Sequence, residues 1–109
     1  MYTRLMIRLS VMYPATPGSR FDWDYYLGHH LELSRRLLSD KGLVRIEIDR
    51  GIGGFPPGAP PPYHGVGHLF FRTLAEMESA LQATAAEFIA DERNYADAGS
   101  VVQISEVVE

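Results

Sequence analysis

Two hydrophobic periods alternate along this chain of 109 residues, and their order is the strongest constraint on its fold. Residues 5–12 alternate with the period of a β-strand. From Asp22 the period becomes helical, up to a predicted stop at Gly42. Strands are predicted again over 44–49, 66–72 and about 101–108, with a second helix between the last two. The predicted order is therefore β-α-β-β-α-β.

Local sequence signals fix the ends of these elements. Asp22 is predicted to cap the first helix, and Thr73 with Glu76 forms the Thr-x-x-Glu capping box that opens the second, which is predicted to end at about Arg93. Residues 51–65 contain five Gly and five Pro. Because proline removes a backbone donor, we expect this segment to be a loop that joins neither helix nor strand ladder.

The element order predicts an α+β domain over residues 1–109. Its subunit is ferredoxin-like, an antiparallel four-stranded sheet with two helices on one face. The other face of the sheet is then open, and we expect it to carry either Met6 and Met12 or Leu5 and Ile7. Since an exposed apolar patch usually marks an interface, the sequence favours a homodimer that packs through its sheets. A monomer with a half-polar open sheet is the alternative.

Composition excludes several classes of function. Cysteine is absent, so disulfides, thiol catalysis and cysteine metal sites are excluded. The chain has ten Lys and Arg residues and fourteen Asp and Glu residues, and no basic cluster exceeds Arg35-Arg36. Nucleic acid and anionic lipid are therefore not expected partners. No segment approaches the ~20 apolar residues of a membrane span. The first residues lack the pattern of a signal peptide, so we expect no membrane association and a cytoplasmic location.

His30 is the candidate for chemistry. On a helical wheel of about 100° per residue it lies in the middle of an apolar stripe that includes Trp23, Leu27 and Leu31. His29 lies on the polar flank. A histidine on an apolar face is either a core imidazole with satisfied hydrogen bonds or a proton-transfer group with a pKa near working pH.

Two features favour proton transfer. The inner face of the second helix carries small residues, which can leave a cavity next to His30: Ala80, Thr84 and Ala85. The loop over 51–65 can form a mouth or lid for that cavity.

Neither a metal nor another cofactor is predicted. His64 and His68 share one face of a strand, but four residues at 3.3 Å each separate them by roughly 13 Å, too far for one ion. The adjacent His29 and His30 diverge around the helix. Histidines from separate elements could still meet, but nothing in the sequence requires it.

Two segments resemble a known family. The stretch Phe21–Leu33 resembles the D-x-D-Y-Y-x-x-x-H-x-P-L segment of the EthD family, named after clusters for the degradation of ethyl tert-butyl ether. Residues 90–97 and 102–108 resemble that family's D-x-x-N-[FY]-x-D and Q-[IV]-S-E-V ending. The family's helix histidine corresponds to His30, and Glu32 replaces its usual proline.

This resemblance implies membership of the dimeric α+β barrel superfamily. Its members convert hydrophobic catabolic or polyketide intermediates without a cofactor, as isomerases, cyclases, monooxygenases, and dechlorinating or decarboxylating enzymes. We therefore expect a small-molecule catabolic protein that performs acid/base chemistry on a small aromatic or lactone-like intermediate. The alternatives are a non-catalytic accessory or ligand-binding protein for an oxygenase pathway, and a structural dimer whose cavity is filled by its own side chains.

The expected site combines one catalytic group with an aromatic wall. His30 is the predicted general acid/base. The residues predicted to contact substrate are Trp23, Tyr26, Tyr63, His68, Phe70, Phe88 and Asn94.

Overall fold

The computed structural model describes residues 5–109 and has the predicted order of elements. The strands are β1 (Ile7–Pro14), β2 (Leu43–Arg50), β3 (Tyr63–Phe71) and β4 (Val101–Glu106). The first helix consists of α1 (Trp23–Tyr25), a π-helical turn (Tyr26–His30) and α2 (Leu31–Leu38), which follow one another without a break. The second helix is α3 (Leu74–Glu92). No helix in this part of the chain is long and apolar enough to cross a membrane.

The four strands form one antiparallel sheet in the order β2-β3-β1-β4. One face packs against both helices, through the buried cluster of Leu9, Leu38, Phe71, Met77 and Ala80. The predicted α+β class and ferredoxin-like subunit are confirmed.

Both helices begin at their predicted N-cap residues, Asp22 and Thr73. The Asp22 carboxylate accepts from the Tyr25 amide at 3.0 Å, and the Thr73 hydroxyl accepts from the Glu76 amide at 3.1 Å. Each bond satisfies an amide that has no partner inside its helix.

The π turn changes which side of the first helix is buried. The amide of Leu31 bonds the carbonyl of Tyr26, one residue further back than in an α-helix. A wheel built on a regular α-helix therefore misplaces residues across this turn. It correctly places His30, which is 9% exposed, but it wrongly places Leu27, which is 46% exposed. Tyr26 is buried instead.

A second buried cluster is aromatic and lies beside the π turn. Its buried rings are Tyr13, Tyr26 and Tyr95, with Phe21 and Trp23 packed against them. The absence of a side chain on β3 makes room for this cluster, since a Cβ on Gly67 would lie 2.5 Å from the Tyr26 hydroxyl. The Tyr26 ring can therefore approach the sheet closely.

The glycine- and proline-rich segment is shorter than predicted. We expected residues 51–65 to lie outside the ladder, but Tyr63 already pairs with Pro14, and Gly65 pairs with both Tyr13 and Arg50. The prediction was wrong for 63–65 because glycine fits a strand where another side chain, here Trp23, approaches the backbone closely.

The open face of the sheet is more polar than predicted. Ile7 packs against the helical core, so the alternation along β1 leaves Arg8, Ser10 and Met12 on the open side. The Ser10 hydroxyl bonds Nδ1 of His68 at 3.0 Å, and Nε2 of that ring bonds Asp49 at 2.9 Å. A polar network therefore interrupts the apolar surface expected there.

Candidate functional site

A cavity of about 230 Å³ lies between the sheet and the helices. Its apolar lining consists of Leu9, Val11, Leu69, Leu81, Ala85, Phe88, Ile89 and Val102. Its polar lining consists of Tyr13, His30, Ser34, Glu92, Tyr95 and Ser100. An apolar cavity with a few polar groups is typical of small-molecule sites.

His30 is held in this wall by a carboxylate from α3. Its Nδ1 lies 2.8 Å from Oδ2 of Asp91, which is only 8% exposed. The other oxygen, Oδ1, accepts from the Tyr25 hydroxyl at 2.6 Å and from the Asn94 amide at 3.1 Å. A carboxylate only accepts hydrogen bonds, so Nδ1 of His30 carries the proton, and Nε2 of the neutral ring is an acceptor.

Two tyrosines continue this chain of hydrogen bonds. The Tyr95 hydroxyl lies 3.2 Å from Nε2 of His30, and the Tyr13 hydroxyl lies 2.7 Å from the Tyr95 hydroxyl. Because Nε2 has no proton, Tyr95 donates to it, and Tyr13 then donates to Tyr95. We call the series Tyr13–Tyr95–His30–Asp91 the relay.

The protonation of the relay follows from burial and from these bonds. Burial lowers the pKa of His30 below its usual value, although Asp91 acts in the opposite direction through its hydrogen bond and its charge. Burial raises the pKa of Asp91, but the hydrogen bonds from Tyr25, His30 and Asn94 outweigh it and give a net lowering. Burial raises the pKa of both Tyr13 and Tyr95. At neutral pH the relay therefore holds an ionised carboxylate, a neutral imidazole and two protonated tyrosines.

This arrangement is suited to general acid/base chemistry. A neutral imidazole accepts a proton at Nε2, and the imidazolium that forms is stabilised by the carboxylate on its other side. The Tyr26 ring stacks on His30 at an interplanar angle of 14°, and Phe88 contacts its edge. These contacts fix the plane of the imidazole.

The structure places only part of the predicted site at the cavity. His30 and Phe88 line it, and Tyr26 lines a smaller neighbouring cavity of about 30 Å³ together with His30. The predicted residues that line neither cavity are Trp23, Tyr63, His68, Phe70 and Asn94.

Four of these five residues make other contacts, which explain why they lie outside the cavity. His68 and Phe70 occupy alternate positions of β3 that face the open side of the sheet, where the Arg45 guanidinium covers the Phe70 ring at 3.9 Å. Trp23 packs over Gly65, and the Asn94 amide donates to Tyr25 and Asp91. No residue of 51–62 lines the cavity, so the loop is neither its mouth nor its lid in this structure.

The prediction missed Asp91, Tyr95 and Tyr13. Asp91 and Tyr95 fall within the D-x-x-N-[FY]-x-D segment, so the motif could have indicated both. Tyr13 continues the ordinary alternation of β1 and carries no sequence signal of its own. Among residues 5–109, no three His, Asp or Glu side chains are grouped so as to hold a metal ion.

The sheet, the helices and the cavity between them define a ferredoxin-like α+β protein. The EthD domain model matches residues 19–99, and the chain belongs to the EthD family. An EthD-like protein from Ralstonia eutropha JMP134 is 33% identical, with a TM-score of 0.88 and coverage of 98% of this chain and 96% of that one.

Two further solved structures share the fold at lower identity. An ethyl tert-butyl ether degradation (EthD) family protein from Bacillus halodurans C-125 is 19% identical, with a TM-score of 0.72 over 93% of this chain and 97% of that one. A dimeric ferredoxin-like protein from an uncultured marine organism is 14% identical, with a TM-score of 0.57 over 96% and 97%. Among curated proteins, none matches the chain.

The lowered pKa of His30 predicts how stability depends on pH. An unfolded histidine takes up a proton near pH 6.5, before the folded His30 does. The free energy of unfolding should therefore be highest above pH 6.5 and fall as the pH is lowered from 7.5 to 5.5. His30 contributes at most about 1.4 kcal/mol per pH unit to the slope of the free energy of unfolding.

Urea unfolding of wild type and His30→Gln between pH 7.5 and 5.5 measures this contribution. His30→Gln should flatten the pH dependence. An unchanged slope in His30→Gln would show that folding leaves the pKa of His30 unperturbed.

Proposed function

We propose that this protein is a cofactor-independent enzyme that transfers a proton on a small hydrophobic molecule, with His30 as the general acid/base. The observation that carries the proposal is the His30 imidazole in the wall of a largely apolar cavity, with its Nδ1 2.8 Å from the buried Asp91 carboxylate. A positioned acid/base contributes about 10²–10⁴ in rate. The same proton transfer begins isomerisation, cyclisation, or the attack of a substrate anion on oxygen.

The dimensions of the cavity support a substrate with one ring. An apolar cavity of about 150 Å³ in another protein holds benzene. The 230 Å³ here therefore accommodates an aromatic or lactone ring with short substituents. Phe88 and the aliphatic lining would contact the ring, and the relay would contact its polar group.

Hydrogen–deuterium exchange tests this function without knowledge of the complete reaction. Small phenols, aromatics and lactones are first screened for an increase in melting temperature. A ligand at 100 times its dissociation constant stabilises the folded protein by about 2.7 kcal/mol. The ligands that bind are then incubated with the protein in D₂O, and incorporation of deuterium at carbon is followed by NMR. Wild type should catalyse exchange, and His30→Gln should slow it about 10²–10⁴-fold.

His68→Gln is the matched control, since it removes an imidazole on the opposite face of the sheet, where it bonds Ser10 and Asp49. It should exchange at the wild-type rate. Exchange that is equally fast in His30→Gln would contradict the proposed role of His30. Binding without any exchange in the wild type would favour the accessory-protein function instead.

We further propose that two copies associate through the open sheet face and β4. Val101 lies beside Met12 on this face and is 47% exposed. The buried Nε of Arg8 has no hydrogen-bond partner among residues 5–109, and a second copy can supply the acceptor. The name of the marine relative, a dimeric ferredoxin-like protein, agrees with this assembly.

Sedimentation equilibrium tests the assembly. Wild type should have about twice the monomer mass of 12.2 kDa, and Val101→Lys should shift it toward the monomer. Leu27→Lys is the matched control, because Leu27 is 46% exposed on the first helix. A monomeric wild type, or equal weakening by both variants, would contradict the proposed interface.

A further inference from the structure

Every proton of the relay is already committed to a bond within it. The Nδ1 proton of His30 goes to Asp91, the hydroxyl proton of Tyr95 goes to Nε2 of His30, and that of Tyr13 goes to Tyr95. The Ser34 hydroxyl, also in the cavity wall, donates to the His30 carbonyl at 2.9 Å. These groups have lone pairs available for a ligand but no proton.

The relay ends at the oxygen of Tyr13. Within residues 5–109 this oxygen donates its proton to the Tyr95 hydroxyl, and the buried Tyr26 hydroxyl is its other polar neighbour. Tyr26 can donate to one lone pair of Tyr13, which leaves the other lone pair for a ligand, and the Tyr13 side chain lines the cavity. Of the other polar groups in the wall, the Glu92 carboxylate adds acceptors, and only the Ser100 hydroxyl can rotate to donate.

We propose that the cavity selects ligands that donate a hydrogen bond, namely phenols, enols and similar weak O–H or N–H acids, over ethers and carbonyl compounds of the same shape. This inference rests on the proposed function of the same cavity. An ether or carbonyl oxygen placed against the relay would meet only lone pairs. It would be buried without a donor, or Tyr13 would have to give up its bond to Tyr95.

The hydrogen bonds of the relay all point toward His30, so they provide a path for a proton from the ligand to Nε2 of His30. The O–H bond of the ligand breaks and its proton passes to the oxygen of Tyr13. The Tyr13 proton passes to Tyr95, and the Tyr95 proton passes to Nε2 of His30. The products are a ligand oxyanion and an imidazolium paired with Asp91, so no electron is transferred and no co-reactant is needed.

Replacement of Asp91 by Asn should abolish or reverse this preference. The Asn amide can donate to Nδ1 of His30, which permits the tautomer with its proton on Nε2. That proton would then bond Tyr95, the Tyr95 proton would bond Tyr13, and the Tyr13 proton would be free for a ligand. The matched control is Asp49→Asn, which removes a carboxylate that bonds His68 on the opposite face of the sheet.

Calorimetry with four ligands of similar shape tests the inference. The donors are 4-methylphenol and 4-methylaniline, and the acceptors are 4-methylanisole and 4-methylbenzaldehyde. Wild type and Asp49→Asn should bind the donors roughly 10- to 100-fold more tightly than the acceptors. In Asp91→Asn the ratio should fall to one or below.

The outcomes separate this inference from the proposed function. Equal binding of donors and acceptors by the wild type would overturn the inference, while deuterium exchange would still establish proton transfer. An Asp91→Asn protein that binds the acceptors but keeps the wild-type ratio would also overturn it. Donor preference without deuterium exchange on any ligand would support the inference and contradict the proposed catalysis.

Discussion

The hydrogen bond between His30 and Asp91 is the interaction on which the rest of the site depends. It joins residues 61 positions apart and connects the π turn of the first helix to the end of α3. Because the carboxylate takes the Nδ1 proton, Nε2 can only accept, and this sets the direction of the bonds to Tyr95 and Tyr13. The carboxylate is in turn held by Tyr25 and Asn94, so the imidazole has a rigid support.

The fold surrounds this bond with apolar side chains. The glycine at position 67 lets Tyr26 lie against the sheet, and Tyr26 then stacks on the face of His30. The aliphatic and aromatic cavity wall removes water from the imidazole, which disfavours its charged form and leaves it available as a base. The packing that stabilises the domain is therefore the same packing that sets the protonation of the site.

Local sequence patterns predicted the helices and strands. The site features that the sequence did not predict depend on contacts between residues far apart in the chain. The caps at Asp22 and Thr73 depend on neighbouring residues, and both form as predicted. The π turn departs from the regular period of an α-helix, so a wheel wrongly placed Leu27 in the core. Asp91 and Tyr95 come from near the end of α3 and the segment after it, far from His30, and a carboxylate on a helix resembles a solvent-exposed residue until its partner is known.

The protonation of the His30 ring tests this account most directly. Nitrogen-15 NMR of the histidine side chains at pH 7 distinguishes a protonated ring nitrogen from one with a free lone pair. His30 should be neutral with its proton on Nδ1, and Asp91→Asn should lose this single tautomer. A proton on Nε2, or an imidazolium at pH 7, would contradict the direction of the relay and the assignment of His30 as a base.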